Sequence, residues 1–352
     1  MREKWIDAVK AIAVLFVLLG HAGVKIPYVS DFAVLFYVPV FFVLAGYLHH
    51  HREEEGFFAY VRKRAKRLLV PYFGYSFFLL LFYAAKEGMA GTLTLEKTGC
   101  ALGGILYARS RLYPVEYLHE GQPALMGIWN SPMWFLPALF LTELLFELLI
   151  RWTKGKRIAV LWACVGCAGV GGVLHYMLPF LLPWSLENVL MMELLMACGM
   201  QLKAYAIPEW LGKHPAVAVL VFGAAAGIRL CNGAMNVSLG NWGSSLALGF
   251  AAAMLASAGI MAVCRRLDGR LHESDGLILI GQNTIPVLCL HMFVFMFAEA
   301  GIRIFLPGFP EEKGALYEAA RIGMVLLTID GLVIGRLWAG RIENCVERIG
   351  KS

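Results

Sequence analysis

The stretch W-I-D-A-V-K-A-I-A-V-L-F-V-L-L-G-H-A-G, Trp5 to Gly23, decides how the rest of the chain is read. It is apolar enough to enter a bilayer, yet it carries Asp7, Lys10 and His21, and each ionisable group in a span costs roughly 2.5–3.5 kcal/mol on insertion scales. That cost calls for compensation. Lys10 and His21 stand eleven residues apart, which on an α-helix is three turns plus about 20°, with an axial separation of about 16 Å. They share one face, the basic group near one end and the imidazole near the other. Two polar groups in line suit the gripping of an elongated molecule. The same spacing suits a Lys10 that snorkels to the interface and a His21 that caps the far end.

Composition fixes the class. Hydrophobic residues make up 59% of the 352 and mean hydropathy is +0.66, against a usual apolar share of about 45–50%. This excludes a soluble enzyme and indicates an all-α, polytopic membrane protein. Net charge is +6, but Arg and Lys cluster between apolar runs, which speaks to topology and not to a nucleic-acid partner. Most of the eight cysteines lie inside apolar runs, and the Cys164–Cys167 pair has no second pair nearby, so neither redox nor metal chemistry is expected. Arg2 and Lys4 before an apolar core mimic a signal peptide, but Asp7 and Lys10 interrupt the run and many spans follow, so it reads as an uncleaved first helix.

Ten runs suit a hydrocarbon core of about 30 Å. They lie near 5–23, 31–49, 69–86, 131–150, 158–178, 185–202, 214–230, 243–264, 277–299 and 320–339, and Pro286 should kink the ninth. With the amino terminus inside, the even-numbered loops carry the basic residues: Arg52 and Arg62 to Arg67, then Arg151 to Arg157, Lys203 and Lys213, and Arg265 to Arg270. That pattern puts both termini in the cytoplasm, Lys10 near the cytoplasmic side and His21 near the external side. The whole of 1–352 then reads as one membrane domain with a long external loop at about 87–130 and no soluble domain. Tyr107, Tyr113, Tyr117 and Trp129 in that loop suit either sugar stacking or interfacial anchoring. The polar loop 229–242 and the Pro-containing loop 301–319 read as external turns. The densest charge run is Y-V-R-K-R-A-K-R-L-L-V-P-Y, Tyr60 to Tyr72. It serves as a topology signal, and its arginines also suit phosphates, to which guanidinium makes paired, charge-assisted hydrogen bonds.

Five motifs in order carry a resemblance. They are K-A-I-A-V-L-F-V-L-L-G-H from Lys10 to His21, Y-V-P-V-F-F-V-L-A-G-Y-L from Tyr37, R-K-R-A-K-R-L-L-V-P-Y from Arg62, M-W-F-L-P-A-L-F-L-T-E-L-L-F from Met133 and L-I-G-Q-N-T-I-P-V-L-C-L-H-M-F-V-F from Leu279. Over nearly its whole length the chain resembles the acyltransferase 3 family of integral membrane acyltransferases, in the fucose O-acetylase-like branch. It departs in Ala45, where the family usually has Ser, and in Lys10, where Arg is commoner.

The resemblance implies an O-acyltransferase, multi-pass in a bacterial plasma membrane, with acyl-CoA, acetyl-CoA first, as donor substrate and no bound cofactor or metal. The donor's phosphates are expected at Lys10, Arg62, Arg64 and Arg67, and its pantetheine arm is long enough for the gap of about 16 Å to His21. His21 is expected to act as general base on a hydroxyl of a cell-surface or lipid-linked glycan that arrives from outside. Asp7 cannot orient His21, because fourteen residues of helix span about 21 Å. Glu143, Glu147, Glu193 and Asp330 are the carboxylate candidates, Glu143 the first choice, and His291 is expected on the acceptor side. His175 reads as packing and His49 to His51 as an interfacial triplet. A transporter or flippase of a small solute or lipid-linked sugar is the rival, although the two halves show no internal repeat.

Overall fold

The computed structural model describes residues 3–109, 131–312 and 314–349. Among them the regular secondary structure is helical, with one isolated bridge between Asn236 and Asn241 and no strand. In chain order the helices are α1 (Lys4–His21), α2 (Val29–Ala33), α3 (Pro39–Leu48), α4 (Phe57–Met89), α5 (Leu95–Tyr107), α6 (Phe135–Trp152), α7 (Arg157–Met177), α8 (Leu186–Ala204), α9 (Ile207–Lys213), α10 (Pro215–Asn232), α11 (Leu246–Leu267), α12 (Gly276–Gln282), α13 (Thr284–Phe305) and α14 (Ala315–Ile349). They pack as two compact units, Met1–Ala33 with Cys264–Ser352, and Val34–Val263.

In the first unit, α1 packs against α12, α13 and α14. The Glu3 side chain does not cap the amino end of α1; Asp268, from the far end of the chain, does so instead. Its Oδ1 accepts from the Trp5 backbone N–H at 3.1 Å, which satisfies one of the donors that every helix start leaves open. Its Oδ2 takes Arg265 Nη1 at 2.9 Å, and that guanidinium lies 5.8 Å from the centre of the buried Trp5 ring. Lys4 donates to the Leu271 carbonyl. Gly281 lets α12 run against α1, since a Cβ there would sit 1.9 Å from the Asp7 carbonyl oxygen.

The second unit is built on α8, which is buried along most of its length and packs on α3, α6 and α7. At the α3–α8 crossing, a Cβ on Gly46 would lie 1.9 Å from the Met196 carbonyl oxygen, and one on Gly199 would lie 1.9 Å from the Val43 carbonyl oxygen. Backbone meets backbone there. This is how helices associate when lipid is as apolar as their side chains and close packing supplies the attraction. Gly171 does the same for α7 against Glu187 of α8, at 2.6 Å. α4 packs on α6 and α5, the last fixed by the Tyr72 hydroxyl donating to the Ile105 carbonyl at 2.6 Å.

Among the described residues, six helices are long and apolar enough to cross a membrane, and seven if the bent α8–α9 pair counts as one span. The other expected spans fall on helices of a different kind. α1 carries Lys4, Asp7 and Lys10; the 31–49 run divides into α2 and the ten-residue α3; α14 is 35 residues long. The expected ninth run breaks at Asn283, three residues before Pro286, into α12 and α13. α4 begins twelve residues before the expected 69, so the basic run is helical and Pro71 lies inside the helix. Part of the 87–130 loop is α5, whose Thr94 side chain caps it by accepting from the Lys97 N–H at 3.2 Å. Tyr113, Tyr117 and Trp129 lie outside the described residues.

Gly46→Ala and Gly199→Ala are each expected to cost about 1–3 kcal/mol, read as a lower unfolding midpoint in detergent. Gly223→Ala on α10, where an added Cβ meets nothing within 4 Å, should leave the midpoint unchanged or raise it. Equal behaviour at all three positions contradicts the crossing.

Candidate functional site

In the first unit the residues singled out by sequence are Lys10, His21 and His291. Lys10, half-buried on α1, pairs with the buried carboxylate of Asp7, Nζ to Oδ1, at 3.3 Å. His21 is the last residue of α1 and is exposed. Its ring centre lies 5.2 Å from that of His291, with the planes tilted by 53°. Two histidines 270 positions apart in the chain are therefore neighbours.

His291, on α13, is fully buried. Its Nδ1 lies 3.0 Å from the Val287 carbonyl oxygen and 2.9 Å from that of Leu288. Carbonyls only accept, so Nδ1 carries the hydrogen, a tautomer assigned from these partners. Nε2 is then a lone-pair acceptor, and among the described residues it has no hydrogen-bond partner. The Phe295 ring, one turn further on, stands edge-on at 5.6 Å and backs the imidazole. The pair thus joins an exposed ring to a fixed one that offers a lone pair.

In the second unit the basic run of α4 divides by helix face. Arg62 is exposed, and at 100° per residue it points about 160° away from Arg64. Arg64 and Arg67, about 60° apart by the same rule, both act on the charge of Glu143 on α6. Arg64 Nη1 meets Glu143 Oε1 at 3.2 Å, and its guanidinium lies 4.9 Å from the centre of the Tyr60 ring. The Tyr60 hydroxyl donates to the Glu143 backbone carbonyl at 3.3 Å. Glu143, expected beside His21, has Arg64 as its partner in its own unit.

One turn along α6, Glu147 gathers a second set. Its Oε1 takes His51 Nδ1 at 2.8 Å and Arg151 Nε at 2.7 Å, and His49 Nε2 lies 3.0 Å from Oε2. Arg151 Nη2 also donates to the Glu55 carbonyl at 2.6 Å. This network fastens the segment after α3 to α6, so His49 and His51 hold Glu147 while His50 is exposed. Sequence reading missed it, although Glu147 and Arg151 stand at helical i, i+4 spacing. Of the other carboxylate candidates, Glu193 is fully buried on α8 and acts on Cys164 and Cys167 of α7. Asp330 is exposed on α14, which corrects its place among the buried carboxylates: the helix turns that position outward. His175 is half-buried against Gly240, in keeping with packing.

A further cluster had no sequence signal. Buried Arg109, just after α5, donates to the Leu182 carbonyl at 3.2 Å and the Ser238 carbonyl at 3.0 Å, and pairs with buried Glu187 of α8. Glu187 Oε2 also accepts from the Leu182 N–H at 3.2 Å. Asn188 donates to the Val237 carbonyl at 3.0 Å. The clamp ties three chain segments together, and the 229–242 loop is one of them. Arg109→Ala leaves Glu187 buried without its cation and is expected to destabilise by about 3–5 kcal/mol. An unfolding midpoint in detergent equal to that of the unmodified protein contradicts the clamp.

A family model described as an acyltransferase domain matches residues 3–332. No curated protein and no solved structure gives a match. The matched region takes in both units, the charged first helix and both histidines. A match of that extent decides between a transferase and a transporter: the chain belongs to the acyltransferase 3 family and is a membrane acyltransferase.

Proposed function

We propose that the protein is an O-acyltransferase of the bacterial plasma membrane. It moves an acyl group, acetyl by its likeness to the fucose O-acetylase-like branch, from cytoplasmic acyl-CoA to a hydroxyl of a cell-surface or lipid-linked glycan. The observation that carries the reading is the His21–His291 pair, centres 5.2 Å apart, in a family whose chemistry is acyl transfer.

In this reading His21 is the general base. It takes the proton of the acceptor hydroxyl as that oxygen attacks the thioester carbonyl carbon. The tetrahedral adduct collapses, the C–S bond breaks, and the coenzyme A thiolate leaves with the proton that His21 held. Exposure of His21 suits a group that must meet substrate. His291, whose Nδ1–H is held by main-chain carbonyls, keeps one tautomer and presents a lone pair. That polarity suits accepting a hydrogen bond from a second hydroxyl of the glycan, so His291 is assigned to the acceptor side. Arg64 and Arg67, which share one face of α4, are assigned to the donor's phosphates. Both termini lie in the cytoplasm by the loop charges, which puts the donor's arrival on the same side.

His21→Ala and His21→Gln are expected to leave protein level and membrane insertion unchanged and to lower acylation by about 10² to 10⁴-fold. Mass spectrometry of surface glycans from cells with and without each variant should show an ester lost. Normal acylation by His21→Ala overturns the mechanism. His291→Gln is expected to raise the acceptor KM while the donor KM stays the same. A change confined to the donor KM places His291 on the wrong side.

A further inference from the structure

Glu143 is a buried group that the transfer chemistry leaves unused. It is 5% exposed, and its contact with Arg64 is half-made. Arg64 Nε and Glu143 Oε2 are both buried, and among the described residues neither has a hydrogen-bond partner. A guanidinium and a carboxylate that meet fully share two parallel bonds; here one is formed and each group keeps an unused atom. The Tyr60 ring supports the guanidinium from one side. The fork is therefore positioned and incompletely occupied, with its Nε–H unused.

We propose that Glu143 is a placeholder for a donor phosphate: it holds Arg64 while the donor is absent, yields Arg64 when a phosphate arrives, and takes up one proton as it does so. The inference rests on the acyl-CoA reading above. A phosphate monoester carries a charge of about −1.5 to −2 and three acceptor oxygens, so it competes well for a fork with an open Nε–H. A buried carboxylate that loses its counter-charge is strongly unfavourable, and a phosphate beside it makes matters worse. A proton from solvent removes that charge. The pair Arg64⁺ and Glu143⁻, with a phosphate dianion and H⁺, becomes Arg64⁺ bound to phosphate beside neutral Glu143.

Among the described residues Glu143 has no other full partner. Arg64, Arg67 and Tyr60 face it from α4, and His49 from the end of α3. His49 already lies against Glu147, and Arg151 on the same helix is taken by Glu147 and the Glu55 carbonyl. α8 and α7 also pack on α6. Their charged groups are directed elsewhere: Glu187 to Arg109, Glu193 toward Cys164 and Cys167, Arg157 over the Tyr205 ring and Lys203 over the Tyr47 ring. Arg67 is exposed and so is available to the same phosphate.

The test is calorimetric binding of S-ethyl coenzyme A, an unreactive thioether, to the full chain in nanodiscs of zwitterionic lipid. Measurements run from pH 7 to 9, where the donor's phosphate monoester is already a dianion, its second pKa being about 6. Repeating them in buffers of different ionisation enthalpy counts the protons taken up. The unmodified protein should take up close to one proton per ligand, and its affinity should fall as pH rises, by at most tenfold per unit. Glu143→Gln should bind severalfold tighter at pH 8.5, with a flatter pH profile and almost no proton uptake. Arg64→Gln should weaken binding at least tenfold. Unchanged binding by Arg64→Gln overturns the donor assignment itself. If Arg64→Gln weakens binding but the unmodified protein takes up no proton, the placeholder fails and the donor assignment stands. That measurement needs no variant of Glu143. A Glu143→Gln protein that binds no tighter and keeps the original pH slope has the same meaning.

Discussion

A carboxylate inside an apolar helix is costly unless a positive group or hydrogen-bond donors meet it, and four such carboxylates shape much of this architecture, while fully buried Glu193 has no hydrogen-bond partner among the described residues. Glu143 is met by Arg64, Glu147 by His51, Arg151 and His49, Glu187 by Arg109, and Asp7 by Lys10. Each pair joins different segments except where helical spacing supplies the partner, as with Asp7–Lys10 and Glu147–Arg151. Each buried pair is weak as a source of net stability, because desolvation offsets much of the attraction, but removing one partner is severe. The pairs therefore fix which segments meet. Between them the helices approach closely through glycine, most tightly where Gly46 and Gly199 bring α3 and α8 to backbone contact.

The helices were largely legible in the sequence, because length and apolarity alone define a membrane helix. Each of the ten apolar runs overlaps at least one helix, and six or seven helices among the described residues are long and apolar enough to cross a membrane. What escaped was continuity. The run from Arg62 to Arg67 is rich in good helix formers, with no breaker between Gly56 and Pro71, and it simply extends α4. The break at Asn283 follows from Pro286, which cannot supply an N–H to the preceding turn; the sequence located it within three residues. α5 went unread, although Thr94 is an N-cap residue in the right place.

The site was legible in its residues and not in its pairings. Lys10 and His21 stood out because charges inside an apolar run are costly, and His291 because it matched the family's late histidine. Nothing in local spacing says that positions 21 and 291 are neighbours, or that Arg64 and Glu143 meet. Such contacts are set by how helices pack, which one sequence does not encode at any fixed separation. The same holds for Arg109, whose three partners lie between 73 and 129 positions away.

Acyl transfer from a cytoplasmic thioester to an external hydroxyl is the central claim, and direction is its most exposed part. The decisive measurement uses sealed proteoliposomes of known orientation, with labelled acetyl-CoA only on the cytoplasmic face and a glycan acceptor only on the external face. The account predicts label on the acceptor and free coenzyme A left on the donor's side. Label that appears only when donor and acceptor share a face contradicts it.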